Sequence, residues 1–302
     1  MKIVAEGLCF PEGPIAMADG SIVVVEVLGG ALTRTMEGRA NEVVSQTGGG
    51  PNGAAIGPDG RCYICNNGGF TRTRSGDMLI PLPPPDDTAP GFIQVVDMAT
   101  GKADVLYPHT PETPMWGPND IVFDAHGGFW FTDYGRTRGR WHSEGSIYYA
   151  KADGSGIQEK VRGLDRPNGI GLSPDGKTLY VALTMEGHLR AFDVAAPGEL
   201  ITGSSFFDTG RMLGRARKGE FLDSLAVDSR GNICVASPGA GAVLVFSPEG
   251  EVIRRIETGD PLTTNICFGG KDLRSAYITL GATGKLVEVE WDCPGLELAN
   301  PF

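Results

Sequence analysis

The sequence predicts an all-β chain closed into a six-bladed β-propeller. Three observations carry that expectation. One hairpin-like pattern recurs six times along the chain, its copies are spaced at about the length of a four-stranded blade, and no long stretch has helical periodicity. Each copy opens on a polar residue in a tight turn, runs through a short apolar strand, turns at a D-G-like pair and resumes as a second apolar strand. The copies are PEGPIAMADGSIVVVE from Pro11, PNGAAIGPDGRCYICN from Pro51, PNDIVFDAHGGFWFTD from Pro118, PNGIGLSPDGKTLYVA from Pro167, LDSLAVDSRGNICVAS from Leu222 and TNICFGGKDLRSAYIT from Thr264.

The polar residues at their heads are Glu12, Asn52, Asn119, Asn168, Asp223 and Asn265, separated by 40, 67, 49, 55 and 42 residues. A propeller blade takes about 40–50 residues. The 67-residue gap holds a proline-rich insertion over 80–87, which cannot be a central strand and reads as a long loop. The turns fall at Asp19-Gly20, Asp59-Gly60, His126-Gly127, Asp175-Gly176, Arg230-Gly231 and Asp272-Leu273. Asp-Gly between apolar runs predicts a type I′ hairpin turn, with positive φ at both central residues. Further strands are expected at Phe92–Val96, Ser146–Tyr149 and Ala242–Phe246. Lys2-Ile3-Val4 should pair with the segment Lys285–Val289 and clasp the ring shut, making 1–302 one propeller domain. A sandwich does not predict six copies of one hairpin, and a β-helix needs a shorter repeat.

Composition bounds the partners. The 302 residues are 41% hydrophobic and 21% charged, with a formal net charge of −11. An acidic surface argues against nucleic acid and against an anionic membrane. No apolar stretch suggests a membrane span or a secretion signal. The six cysteines are scattered. The one C-x-x-C, Cys62 and Cys65, lies in a strand where residues three apart face opposite ways, so reduced thiols in a cytoplasmic setting are expected.

Equivalent positions of each blade lie on a ring around the propeller axis, so the six heads should converge at one mouth of the channel. A Glu, an Asp and four Asn facing one point form an oxygen-rich cage suited to a hard divalent cation such as Ca²⁺, Mg²⁺ or Mn²⁺. Asn and Asp also head ordinary turns, because their side chains bond nearby backbone. Glu12 is different, since Glu is a poor turn former.

These residues carry a resemblance. F-P-E-G-P at 10–14, G-P-N-D at 117–120 with F-W-F-T-D at 129–133, R-P-N-G-I at 166–170 and T-N-I-C-F-G-G at 264–270 are similar to the gluconolactonase, regucalcin and luciferin-regenerating enzyme family. The resemblance spans nearly the whole chain. It implies a six-bladed propeller that hydrolyses sugar lactones at one divalent metal, Ca²⁺ foremost, with Mg²⁺, Mn²⁺ and Zn²⁺ as alternatives. It places the ligands at Glu12, Asn119, Asn168 and Asp223. Leu222-Asp223-Ser224 departs from the Pro-Asp-Gly of many members.

Such an ion polarises a lactone carbonyl and helps to ionise a water. Asp223 is then the candidate base or nucleophile, and Asn119 and Asn52 are placed to orient substrate or water. Asp120 and Asp133 read as structural. The basic loop 134–142 supplies Arg136 and Arg138, with Arg72 and Arg74 in the preceding blade, for a carboxylate or phosphate on the substrate. His142 and His188 follow blade ends and read as incidental. No Ser-His-Asp order, phosphate loop or H-E-x-x-H occurs. Three readings follow: a metal-dependent lactonase, a hydrolase of phosphotriesters or other esters at the same site, and a non-enzymatic metal-binding propeller. The partner is a small-molecule lactone, and the oligomeric state stays open.

Overall fold

A computed structural model describes residues 1–111, 113–201 and 208–301. Among them there is no helix, and the strands form six four-stranded antiparallel blades. Blade 1 is Pro11–Ala16, Ile22–Glu26, Ala31–Thr35 and Glu42–Gln46. Blade 2 is Pro51–Ile56, Cys62–Asn66, Phe92–Val96 and Ala103–Tyr107. Blade 3 is Pro118–Phe123, Gly128–Asp133, Gly145–Lys151 and Ile157–Leu164. Blade 4 is Pro167–Leu172, Thr178–Leu183, His188–Ala196 and Arg211–Arg215, with the short strand Glu199–Leu200 against its third strand. Blade 5 is Leu225–Val227, Ile233–Ser237, Ala242–Phe246 and Val252–Glu257. Blade 6 is Thr263–Gly269, Ser275–Leu280, Lys285–Glu290 and, from the other end of the chain, Lys2–Ala5.

Five of the repeat heads lie near the start of an innermost strand and Asp223 stands two residues ahead of Leu225–Val227, and the inner strands touch in ring order with the sixth closing on the first. The expected clasp forms, with Lys2 opposite Glu288 and Ile3 opposite Val287. No helix among the described residues is long and apolar enough to cross a membrane.

The core is six wedges, one per blade interface, because alternate residues of a strand face opposite sides of its sheet. Val23 and Val25 pack with Ile64 between blades 1 and 2, whereas Ile22 and Val24 pack with Tyr277 and Leu286 between blades 1 and 6. The same alternation sends Cys62 to the blade 1–2 wedge and Cys65 to the blade 2–3 wedge. All six cysteines are free thiols. The richest wedge holds Tyr63, Phe123, Phe129 and Phe131, with Tyr63 and Phe123 meeting edge to face at 5.1 Å.

Two expectations are corrected. The inner hairpin turns are not type I′. Only the second residue of each pair is left-handed, as at Gly20 with φ 83° and Gly60 with φ 75°. The Asp before it accepts the backbone N–H two residues on, Asp19 Oδ1 from Ser21 at 2.9 Å, so the Asp closes an Asx-type turn rather than a mirror-image one. Blade 6 lacks the glycine, and Leu273 adopts φ 58° in its place. The proline-rich insertion is also not wholly loop. Met78–Leu82 pairs with Thr71–Ser75 in a hairpin outside the blade. That hairpin reaches over blade 1 to blade 6, where Leu79 N–H donates to Ala282 O at 2.8 Å.

Candidate active site

Local irregularity turns the heads inward. The register of the inner pairing shifts between Glu12 and Ile15, Pro51 and Ala54, Pro118 and Ile121, and Pro167 and Ile170. A bulge releases residues from the ladder and re-aims them; in blades 2, 3 and 4 the heads Asn52, Asn119 and Asn168 are released, whereas in blade 1 Glu12 still pairs with Val25 and the irregularity falls at Gly13 and Pro14. The residue after the head is kept small where neighbours approach closely. A Cβ on Gly169 would lie 2.6 Å from Asp223 O and 2.8 Å from Leu225 N.

Glu12 is buried and accepts the Gly13 N–H at 2.9 Å and the Asn265 Nδ2–H at 2.7 Å through Oε2. Burial, then the charge of Asp223, holds its carboxyl well above the ordinary range. Asp223 is pushed up to about 8, first by burial and then by Asp120, against the pull of hydrogen bonds from Asn168 and the Ser224 N–H. Asn168 is buried and donates through Nδ2 to Thr184 Oγ1 at 3.2 Å, while its Oδ1 accepts Ser224 Oγ–H at 3.4 Å. Asn52 and Asn119 are buried, and neither Oδ1 has a hydrogen-bond partner. Two orphaned amide oxygens beside two carboxylates held toward protonation are costly unless something positive binds them. The residues present therefore fit a hard cation by donor chemistry. Asn265 differs from the other heads, since its oxygen accepts its neighbour Ile266 N–H at 2.7 Å and its amide serves Glu12.

Asp120 stands among the heads, tying blades together. It accepts the Ile121 N–H at 3.0 Å and the Ile170 N–H at 3.3 Å, and burial raises it to about 7. Asp133 accepts three N–H groups, Trp116 at 2.7 Å, Gly117 at 2.6 Å and Gly135 at 2.8 Å. It organises the turn ahead of Asn119, although burial still lifts it to about 6.

The basic residues named from the sequence have other partners. Arg136 is buried and donates to the carbonyls of Thr88 at 3.1 Å, Ala89 at 2.9 Å and Asn67. Arg138 donates to Thr88 O at 2.5 Å and stacks over Trp116 at 5.1 Å. Arg72 donates to Cys9 Sγ at 2.9 Å and Leu28 O at 2.8 Å. These guanidiniums pin the loops at the mouth. Arg74 and His142 are exposed. His188 pairs with Glu186 at 2.7 Å, and its Nε2 is buried without a partner.

Three residues at the mouth went unnamed in the sequence. Tyr134 directly follows the second strand of blade 3, and burial, then the charge of Asp223, raises its phenol against the pull of Arg166 and Thr184. Thr184 accepts the Asn168 amide at 3.2 Å. Arg166 lies over the Tyr134 ring at 5.4 Å. The only sequence signal was the position of Arg166 two residues before Asn168.

Residues 10–282 match the family model described as the SMP-30/Gluconolactonase/LRE-like region. Lactonase drp35 of Staphylococcus saprophyticus is 31% identical over 259 residues, covering 83% of this chain and 68% of that protein. A gluconolactonase structure from Xanthomonas campestris aligns with TM-score 0.74 at 24% identity, over 95% of this chain and 88% of that one. A regucalcin from Agrobacterium tumefaciens, described as a calcium-binding protein, aligns with TM-score 0.73 at 21% identity, over 100% of this chain and 96% of that one. At those identities the two solved structures establish a shared propeller fold.

Proposed function

The chain belongs to the SMP-30/gluconolactonase/LRE-like family, and from that premise we propose that it is a divalent-metal-dependent lactonase opening a sugar-acid lactone. The observation that carries the reading is the unpartnered pair of buried Asn52 and Asn119 oxygens beside the raised carboxylates of Glu12 and Asp223. The relatives support the reaction class, since two of them are named as lactone hydrolases. The calcium-binding regucalcin supports the choice of Ca²⁺.

In this reading Glu12, Asn119, Asn168 and Asp223 hold the ion, which when bound supplies Lewis-acid polarisation of the lactone carbonyl. Asp223 takes the proton of the attacking water: burial pushes its carboxyl up to about 8 without metal, and a cation bound beside it would favour the carboxylate that acts as base. Asn52, with its free oxygen, orients the substrate hydroxyls. Asn265 fixes the Glu12 carboxylate by its 2.7 Å bond. Free thiols and an acidic surface accord with a cytoplasmic enzyme acting on a small molecule.

The deciding experiment follows hydrolysis of D-glucono-δ-lactone by pH-stat before and after chelation, with Ca²⁺, Mg²⁺, Mn²⁺ and Zn²⁺ restored singly, and paraoxon as a control. Turnover lost on chelation and restored by Ca²⁺ is expected. Chelator-insensitive turnover, or paraoxon hydrolysis without lactone hydrolysis, refutes the proposal.

A further inference from the structure

The geometry points to Arg166, braced by Tyr134 and Thr137, as the residue that selects a lactone carrying an anionic group; the inference rests on the lactonase reading and narrows its substrate class. Four heads follow a proline, and the residue before that proline is Phe10 in blade 1, Gly50 in blade 2, Gly117 in blade 3 and Arg166 in blade 4. Of these four only Phe10 and Arg166 are left-handed, Arg166 at φ 52°. A left-handed non-glycine residue is strained, and a glycine would avoid that strain. Blade 1 repeats the geometry with Phe10 at φ 62°, and there the ring covers Gly281. In blade 4 the same turn delivers a cation instead.

Its contacts keep it at the mouth. The Arg166 carbonyl accepts the Thr184 N–H at 3.1 Å, and Thr184 holds Asn168. The guanidinium stacks on Tyr134 and donates through Nη2 to Thr137 Oγ1 at 3.1 Å. Its carboxylate partner is Asp165, 3.9 Å from Nε with half of its side chain exposed. That is a loose surface pair, worth little. By contrast Arg136, Arg138 and Arg72 donate to backbone carbonyls. A guanidinium stacked on a ring keeps the planar donor fork that carboxylate or phosphate recognition uses.

The test compares wild type, R166Q and R166K on three lactones with Ca²⁺ present: D-glucaro-1,4-lactone with a carboxylate, 6-phospho-D-glucono-δ-lactone with a phosphate, and uncharged D-glucono-δ-lactone. The ratio of kcat/KM for an anionic lactone to that for the uncharged one is expected to fall at least tenfold in R166Q, mainly through KM, with partial recovery in R166K. Whichever anionic lactone shows the drop identifies the group. A parallel fall on all three lactones, or no fall, overturns the assignment. Calorimetric binding of D-glucarate and of 6-phosphogluconate with Ca²⁺ supplies a second readout. If the wild type turns over no lactone, the lactonase reading fails, and the binding still decides the role of Arg166. Weakening of at least tenfold in R166Q for either anion supports it, and equal or absent binding in both proteins refutes it.

Discussion

Replacing Asp223 by Asn should make the metal-free protein more stable at neutral pH while removing its response to metal. The Asp223 carboxyl sits at about 8 in the fold against an ordinary 3.8. Between those values the folded chain holds a proton that the unfolded chain has released, so stability declines as pH rises from about 4 to about 8. At pH 7 the gap spans about three pH units, which at about 1.36 kcal/mol each bounds the cost near 4 kcal/mol. Asparagine keeps the shape without the ionisation. With water entry and side-chain relaxation, D223N should gain about 1–3 kcal/mol in chelator at pH 7 and nothing at pH 4. Calcium at 100 times its dissociation constant should stabilise the wild type by about 2.7 kcal/mol and leave D223N unmoved. Urea unfolding of both proteins at pH 4, 7 and 8, with chelator and with Ca²⁺, measures all of this. A D223N protein less stable than wild type in chelator at pH 8, or one that Ca²⁺ still stabilises, refutes the reasoning.

Three further outcomes are expected. Gly169→Ala places a Cβ 2.6 Å from a backbone carbonyl of blade 5, so thermal unfolding should show a loss of about 1–3 kcal/mol, together with lower activity as Asn168 and Asp223 are pushed apart. Leu273→Gly relieves the left-handed turn at φ 58° and should raise stability by about 0.5–1 kcal/mol after the entropic cost of glycine, read as a higher urea midpoint. Arg136→Met leaves the carbonyls of Asn67, Thr88 and Ala89 without their donor. It should cost about 2–3 kcal/mol, speed proteolysis within 67–90, and lower turnover of charged and uncharged lactones alike, unlike R166Q.

The propeller was legible because a blade is a local object. Its hairpin, Asx turn and head lie within some sixteen residues, and an alternating apolar pattern states which residues face each neighbour, as Ile22 to Val25 do. The heads were legible for the same reason, since rotation about the axis turns sequence equivalence into convergence. Other features depended on contacts that sequence does not state. Charge alone could not separate Arg136, buried among carbonyls of blade 2, from Arg166 at the rim. Asn265 shares its letter with Asn52 yet turns its oxygen to its own strand. The turn type was misread because Asp-Gly fits two turns, and the pairing register decides between them. The hairpin of the insertion depended on a distant anchor, Ala282 in blade 6.

Blade 6 is assembled from the two extremes of the ring, with Lys2–Ala5 laid against Lys285–Glu290. During synthesis the early strand waits for its partner until the five blades between them have been made. Five blades can form without it, but the circle stays an open arc, and its apolar flank at Ile22, Val24 and Leu8 stays wet until Tyr277 and Leu286 arrive. Glu12 and Asn265 lie on opposite sides of that seam, so the cage becomes whole only when the arc shuts.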